Sequence, residues 1–232
     1  MRFEQIESAV RDLGLLTRGG FHPAPGDAVP PMPDGRAAAT VVLVGNAGNA
    51  MWGEFQRSDT ARQPRDPLNQ WSECVITGLA ARLGAHPLFP FSGPPFLPFQ
   101  RWAQRAEPVW PSPIGLLIHP VYGSWHAYRG ALAFATRIAL PPREPLASPC
   151  AACDERPCLS ASPAKAFAEG RYDVQACVTY LASPDGRDCM ERGCLARRAC
   201  PIGREFQYLP AQAEFHMQAF LRAHRRRGGG TR

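Results

Sequence analysis

Residues 114–140 read IGLLIHPVYGSWHAYRGALAFATRIAL, and this stretch decides the fold of the 232-residue chain. Two apolar runs, residues 114–119 and 126–140, flank the short segment 120–125. Two such runs joined by a tight connection predict neighbouring antiparallel strands. The sheet is therefore expected to be at least partly antiparallel.

A β-branched run lies upstream at residues 40–44 (TVVLV) and is too apolar to alternate between a buried and an exposed face. It predicts a central strand that is covered on both sides. The next residues, Gly45-Asn46-Ala47-Gly48-Asn49, invite comparison with loops that bind phosphate groups. Because Trp52-Gly53 interrupts the helix that a dinucleotide-binding motif requires, a glycine turn is favoured over a phosphate site.

Helix patterns lie on both sides of this strand. Apolar residues recur at helical spacing over residues 2–14 and predict an amphipathic helix that ends near Gly14. A linker is expected from there to Arg36. Asp66-Pro67 is a strong helix start, with the carboxylate as N-cap, and one apolar face continues from it to Gly84.

Seven of the eight cysteines lie between residues 150 and 200. In bacterial two-cluster ferredoxins, three closely spaced cysteines are completed by a remote one, next to a proline, from the other motif. That rule predicts two sets of ligands. The first set consists of Cys150, Cys153, Cys158 and Cys200, and the second of Cys177, Cys189 and Cys194. The remote position of the second set is Ser162-Pro163, where a neutral hydroxyl replaces a thiolate.

The gaps between these cysteines differ from the ferredoxin pattern, because four residues separate Cys153 from Cys158 and five separate Cys194 from Cys200. Besides a 4Fe-4S cluster, four interpretations stay open. They are a remnant without metal, a zinc site that uses close pairs, reduced thiols packed as small hydrophobic groups, and disulfides in an exported chain. Short helices are expected around the cysteines, at residues 173–181 with Asp173 as N-cap, at 191–199, and from Pro210.

Composition limits the function classes further. The hydrophobic share of 45% is ordinary for a globular protein, and 25 prolines with 21 glycines indicate ordered loops and linkers. A net charge of +6 suggests affinity for anions, but half of the excess is the run Arg225 to Arg227, in a terminal segment, residues 225–232, that is expected to be disordered. We find neither a signal peptide nor a run of roughly 18 apolar residues, so a cytoplasmic protein without a membrane partner is expected.

Residues 118–130 (IHPVYGSWHAYRG) resemble the pattern IHPxFGGWFAIRG of the cobalamin-processing CblC (MMACHC) family, and residues 66–70 (DPLNQ) resemble that family's DPVDQ. Gly123-Ser124-Trp125 is also similar to the epoxyqueuosine reductase family. That family continues with Cys-x2-Cys-x2-Cys-x3-Cys-Pro, an Asp-x3-Cys-x-Ser-Tyr-Leu helix and a final Cys-Pro. In this chain, residues 173–181 (DVQACVTYL) match the helix of that pattern, and Cys200-Pro201 matches its final Cys-Pro.

Both families bind cobalamin on a fold related to flavin nitroreductases. The resemblance therefore implies an α+β fold, with a nitroreductase-like mixed or antiparallel sheet flanked by helices, over residues 1–145. It also implies a small helical, cysteine-rich, ferredoxin-like module over residues 146–224. A bound corrin would be base-off, because these families supply no histidine to cobalt.

The resemblance also implies which residues contact the cofactor. These are Tyr122, Gly123, Ser124, Trp125, Tyr128 and Arg129. Trp125 would stack on the corrin or fill the core, and Arg129 matches the arginine near the glutathione site of CblC. Epoxyqueuosine reductases carry a catalytic aspartate where residues 89–95 (FPFSGPP) offer no carboxylate as a general acid. No catalytic residue is therefore assigned, and neither reduction of a tRNA base nor nucleic-acid binding is expected.

Three functions are consistent with these features. The first is a cobalamin-binding protein that supports reduction of the corrin or removal of its upper ligand, such as cyanide. Glutathione or a reductase would supply its electrons. The second is a ferredoxin-like iron–sulfur electron carrier without cobalamin. The third is a degenerate scaffold that binds a partner through the cysteine-rich region.

Overall fold

The computed structural model describes residues 1–168 and 170–228 and divides the chain into two compact units. The first unit consists of Met1–Val109 and His126–Leu146. The second consists of Trp110–Trp125 and the chain from Ala147 onward. The segment Trp110–Trp125, which a boundary after residue 145 assigns to the first domain, thus belongs to the second unit.

The strands, in chain order, are β1 (Leu16–Phe21), β2 (Thr40–Ala47), β3 (His86–Leu88), β4 (Trp110–Pro111), β5 (Leu117–Ile118), β6 (His126–Phe134), β7 (Phe167–Ala168) and β8 (Arg171–Tyr172). The α-helices are α1 (Phe3–Arg11), α2 (Ala50–Arg57), α3 (Pro67–Leu83), α4 (Phe99–Ala106), α5 (Pro157–Ser160), α6 (Val174–Leu181), α7 (Arg187–Arg192), α8 (Leu195–Arg198) and α9 (Pro210–Gly228).

The first unit is built on one four-stranded sheet with the order β1-β2-β6-β3, and every neighbouring pair is antiparallel. Helices α1 and α4 pack on β1, and α3 packs on β6. The predicted α+β class with an antiparallel sheet flanked by helices is confirmed. All eight residues of β2 are buried. Because successive side chains of a strand point to opposite faces, both faces of this central strand are covered, as its apolar run predicted.

The predicted pairing around residues 120–125 is wrong. Strand β5 pairs with β4, whereas β6 pairs with β2 and β3. Between them the chain closes on itself, since His119 and Gly123 exchange two backbone hydrogen bonds of 2.8 and 2.9 Å. The tight connection therefore satisfies its own backbone groups and leaves β5 and β6 in separate sheets.

Two helices of the first unit follow their sequence signals. Helix α1 lies within the predicted range, and Gly14 follows it with a φ of +71°. Helix α3 begins at Pro67 and ends before Gly84, whose φ of +63° is the left-handed conformation that glycine adopts at a helix end. The predicted side-chain cap of α3 is wrong, because Asp66 itself has a φ of +45° and its carboxylate caps no backbone N–H.

Two other local predictions also need correction. Strand β1 lies in the segment predicted to be a linker. Helix α2 begins at Ala50, directly after a turn in which Gly48 has a φ of +57°, and it contains both Trp52 and Gly53. The expected interruption of this helix is therefore absent.

The second unit contains two short antiparallel strand pairs, β4 with β5 and β7 with β8, and helices α5 to α9. Four buried side chains form a core that α6, α7 and α9 share: Val178, Leu181, Cys189 and Leu221. None of the described helices is both long and apolar enough to cross a membrane.

The helix signals of this unit are mostly confirmed. Asp173 caps α6 by accepting a hydrogen bond of 2.8 Å from the backbone N–H of Ala176. The single helix predicted at residues 191–199 is wrong, because Gly193, with a φ of +87°, separates α7 from α8. Helix α9 opens at Pro210 as predicted and runs to Gly228, past residue 225 where a disordered tail was expected. Residues 229–232 of that tail lie outside the described part.

Candidate functional site

The first thiol set gathers around the short helices α5 and α8, which pack against each other. Burial raises the pKa of the Cys150 thiol, and the negative charges of Cys200, Cys158 and Cys153 raise it further. Burial likewise raises the pKa of the Cys158 thiol, and the nearby Cys200 and Cys153 raise this pKa further. The four sulfurs are therefore close enough to repel one another as thiolates, although Cys200 is distant in sequence.

The second thiol set surrounds a cavity in the core of the same unit. Its wall includes Cys177 from α6, Cys189 from α7, Cys194, and Ser162. Burial raises the pKa of both the Cys177 and the Cys189 thiol, and nearby Cys194 adds to both shifts. Tyr172 hydrogen-bonds to Cys177, which favours the thiolate form of that cysteine. Ser162 thus lies in the wall of the same cavity as these three cysteines.

The eighth cysteine, Cys74, lies exposed on α3 in the first unit, and all eight cysteines are free thiols rather than disulfides. Across the described residues, no group of three or more His, Cys, Asp or Glu side chains is arranged to hold a single metal ion. Within the described residues, neither thiol set therefore forms a site for a single metal ion.

Gly123 brings two backbone segments of the second unit into direct contact. It has a φ of +56°, and a Cβ built on it would lie 2.1 Å from the carbonyl oxygen of Ile202. Gly203 approaches from the other side, where its own Cβ would lie 2.4 Å from the carbonyl carbon of Tyr122. The segment 120–125 therefore packs against the chain that directly follows Cys200-Pro201.

Arg197 of α8 holds the same segment through its guanidinium group. This group donates hydrogen bonds to the backbone carbonyl of Ser124 at 2.5 Å and to its hydroxyl at 3.3 Å. It also lies over the rings of Trp125 and Tyr208, at 4.2 and 4.6 Å from their centroids. Trp125 is 1% exposed, so it fills the core, and its buried Nε1 has no hydrogen-bond partner within the described residues. Tyr122 stacks on His119 with ring centroids 4.4 Å apart.

The remaining candidate cofactor-binding residues, Tyr128 and Arg129, lie in the first unit on β6. Arg129 falls where the register of β2 and β6 shifts, between the pairs of Val44 and Gly45. The hydroxyl of Tyr128 donates a hydrogen bond of 2.5 Å to Glu107. Burial and the nearby Glu107 raise the pKa of Tyr128, so it remains a proton donor in this contact. Four of the six predicted residues therefore belong to the second unit and two to the first.

A buried ion pair anchors the Tyr128 contact. Arg18 of β1 donates to both carboxylate oxygens of Glu107, at 2.7 and 3.1 Å, and its Nη1 donates to the backbone carbonyl of Asn46 at 3.2 Å. His126 Nδ1 lies 3.2 Å from Arg18 Nη2. Sequence reasoning missed this network, because Arg18 lies in a segment taken for a linker and Glu107 is 89 residues away.

The fold agrees with solved structures, although no protein-family model and no curated protein matches the chain. The epoxyqueuosine reductase of Streptococcus thermophilus aligns with a TM-score of 0.52 and 15% identity, over 90% of this chain and 68% of that one. A selenomethionine-labelled epoxyqueuosine reductase gives 0.54 and 15%, over 89% and 67%.

A B12-trafficking CblC protein of C. elegans aligns with a TM-score of 0.46 and 15% identity, over 92% of this chain and 91% of that one. The epoxyqueuosine reductases among these structures belong to one of the two families that the sequence motifs resemble. At this level of identity, the match to the epoxyqueuosine reductases establishes the fold and leaves the activity to be argued from the residues.

Proposed function

We propose that this chain is a cobalamin-binding protein that carries its own ferredoxin-like iron–sulfur module for electron transfer. The observation that carries the proposal is that seven of the eight cysteines lie in one small unit, where Cys177, Cys189 and Cys194 line one cavity together with Ser162. Cysteine thiolates are the usual ligands of iron–sulfur clusters, and two interleaved sets are the arrangement of a two-cluster ferredoxin. A cluster, when bound, supplies transfer of single electrons.

Two arginines partly counter the effect of burial on these thiols. Burial raises the pKa of Cys150 and Cys189 and so opposes the thiolate, but a guanidinium lies near each sulfur and acts in the opposite direction, Arg156 for Cys150 and Arg198 for Cys189. Arg198 is itself held by Asp188 and by the carbonyl of Gly193. Each set therefore has one cation that offsets the negative charge of deprotonated sulfur.

Two features support cobalamin binding. Residues 118–130 resemble CblC and epoxyqueuosine reductase sequences, and the chain shares the fold of the epoxyqueuosine reductases. We propose that the protein holds the corrin base-off and supports its reduction or the loss of its upper ligand, with a small thiol such as glutathione or a reductase as electron donor. The buried, unpartnered Nε1 of Trp125 is a donor left over for a bound molecule. No catalytic residue is assigned.

A second candidate function, an iron–sulfur electron carrier without cobalamin, is favoured by a specific observation. Much of the predicted cofactor-contacting set is already engaged inside the protein. Arg197 covers Trp125 and binds Ser124, while Glu107 binds Tyr128. On this account the segment 120–125 is a structural support of the cysteine-rich unit.

Absorbance spectra distinguish the two candidates. Under the first, cyanocobalamin mixed anaerobically with the purified, reconstituted protein acquires the spectrum of the base-off form and stays with the protein through gel filtration. Under the second, the iron–sulfur absorbance is present and the cobalamin separates unchanged. Retention of neither iron nor cobalamin would contradict both functions.

We predict that Cys150→Ser lowers the iron retained after anaerobic reconstitution by about one to four ions, from loss of the one iron without a thiolate to loss of the whole first cluster. The reason is that Cys150 belongs to the set whose four thiols converge. Cys74→Ser serves as the matched control, because that thiol is exposed on α3 and outside both sets. Colorimetric iron and sulfide assays make the measurement, and equal losses in both variants would show that the first set holds no cluster.

A further inference from the structure

The second thiol set differs from the first in one atom type. Three cysteines and Ser162 line its cavity, whereas the first set consists of four cysteines. The two remote positions are otherwise equivalent, because each precedes a proline and each lies with the set formed by the opposite half of the motif.

Ser162 is a poor substitute for the missing thiolate. A neutral hydroxyl binds iron far more weakly than a thiolate, and serine stays protonated at neutral pH. Its oxygen also accepts a hydrogen bond of 3.3 Å from the backbone N–H of Ala166, which occupies one lone pair. The hydroxyl therefore stabilises the turn between Ser162 and Ala166.

No other side chain in the wall of this cavity replaces the thiolate. Apart from the three cysteines and Ser162, the described residues lining it are apolar except for Tyr180. The hydroxyl of Tyr180 donates to the backbone carbonyl of Asp185 at 2.7 Å. The wall thus offers three strong ligands for a cluster that has four corners.

We propose that the second set holds its iron–sulfur cluster with one iron that no thiolate ligates, leaving that corner exchangeable and open to a small anionic donor such as a free thiolate. This inference rests on the proposed iron–sulfur function. Its consequence is that oxidation of the cluster by one electron releases this iron. A one-electron oxidant such as ferricyanide takes one electron from the 4Fe-4S cluster, the unthiolated iron leaves as Fe²⁺, and a 3Fe-4S cluster remains.

The test compares wild type with Ser162→Cys after anaerobic reconstitution with iron and sulfide. After oxidation with ferricyanide, wild type is expected to give the paramagnetic resonance signal of about one three-iron cluster per chain. Ser162→Cys is expected to give a signal at least about tenfold weaker, because a fourth thiolate retains the corner iron. A small thiol added before oxidation is expected to change the wild-type spectrum and to leave that of Ser162→Cys unaltered.

Two controls keep the comparison specific. Ser160→Cys adds a thiol two residues away on an exposed position outside the cavity wall, and its signal is expected to match wild type. Cys158→Ser creates three sulfurs and a hydroxyl in the first set and is expected to add a second three-iron signal.

Different outcomes contradict the open iron site and the proposed iron–sulfur function. A wild type that retains all iron of both clusters through oxidation would overturn the inference, since Ser162 would then be a firm ligand. Identical iron contents and signals in wild type and Ser162→Cys would also overturn it, because the second set would hold no cluster while the first still did. Absence of iron from every variant would overturn the iron–sulfur function itself.

Discussion

Replacing Arg18 with methionine is expected to lower the free energy of unfolding by about 3–5 kcal/mol, because the carboxylate of Glu107 is then buried without its cation. In the intact pair the Arg18 side chain is 1% exposed and that of Glu107 10%, and two hydrogen bonds join them. Methionine keeps much of the apolar stem of arginine, so loss of the charge dominates. Urea denaturation followed by circular dichroism measures the change.

Arg11→Met provides the matched control for this prediction. Arg11 pairs with Glu7 at 3.5 Å on the surface of α1, where the two side chains are 67% and 43% exposed. Its removal is expected to cost less than about 1 kcal/mol, since solvent screens such pairs. The double variant Arg18→Met, Glu107→Leu should recover part of the loss, because it leaves no charge uncompensated. Equal effects of Arg18→Met and Arg11→Met would refute this account of the buried pair.

Local sequence patterns predicted those elements whose stabilising contacts are also local. The apolar run of β2 predicted burial of both faces of this strand. Asp173 caps its helix by accepting from a backbone N–H only three residues further along the chain. Pro67 and Gly84 mark the limits of α3 because each restricts or permits a particular backbone conformation at its own position. In these cases the physical cause lies within one turn of the residue that signals it.

The missed features depend on partners far away in the chain. A strand with Arg18, Gly19 and Gly20 at its centre has no apolar pattern, and the carboxylate that pairs with the buried arginine belongs to the distant Glu107. The cysteine spacing likewise indicated two thiol sets, but it contained no sign that the segment Trp110–Trp125 folds with them. That association depends on contact between the backbones at Gly123 and Ile202.

Gly123→Ala is expected to destabilise the cysteine-rich unit by about 2–5 kcal/mol, since a left-handed conformation costs a non-glycine residue about 1–2 kcal/mol and overpacking adds about 1–3 kcal/mol. The added methyl group would lie 2.1 Å from the carbonyl oxygen of Ile202, a backbone atom that cannot rotate away. Thermal unfolding of the purified protein, followed by circular dichroism, measures the loss.

Gly115→Ala separates the two causes within the same unit. Gly115 has a φ of +77°, but nothing lies within 4 Å of a Cβ built on it, so only the backbone cost of about 1–2 kcal/mol applies. The excess loss in Gly123→Ala therefore measures the close approach to Ile202. Because Ile202 follows Cys200-Pro201, displacement of that backbone should also reduce iron retention by the first thiol set, whereas Gly115→Ala should retain wild-type iron. If the two variants lose equal stability and equal iron, the packing of segment 120–125 against the cysteine-rich chain does not hold Cys200 in place.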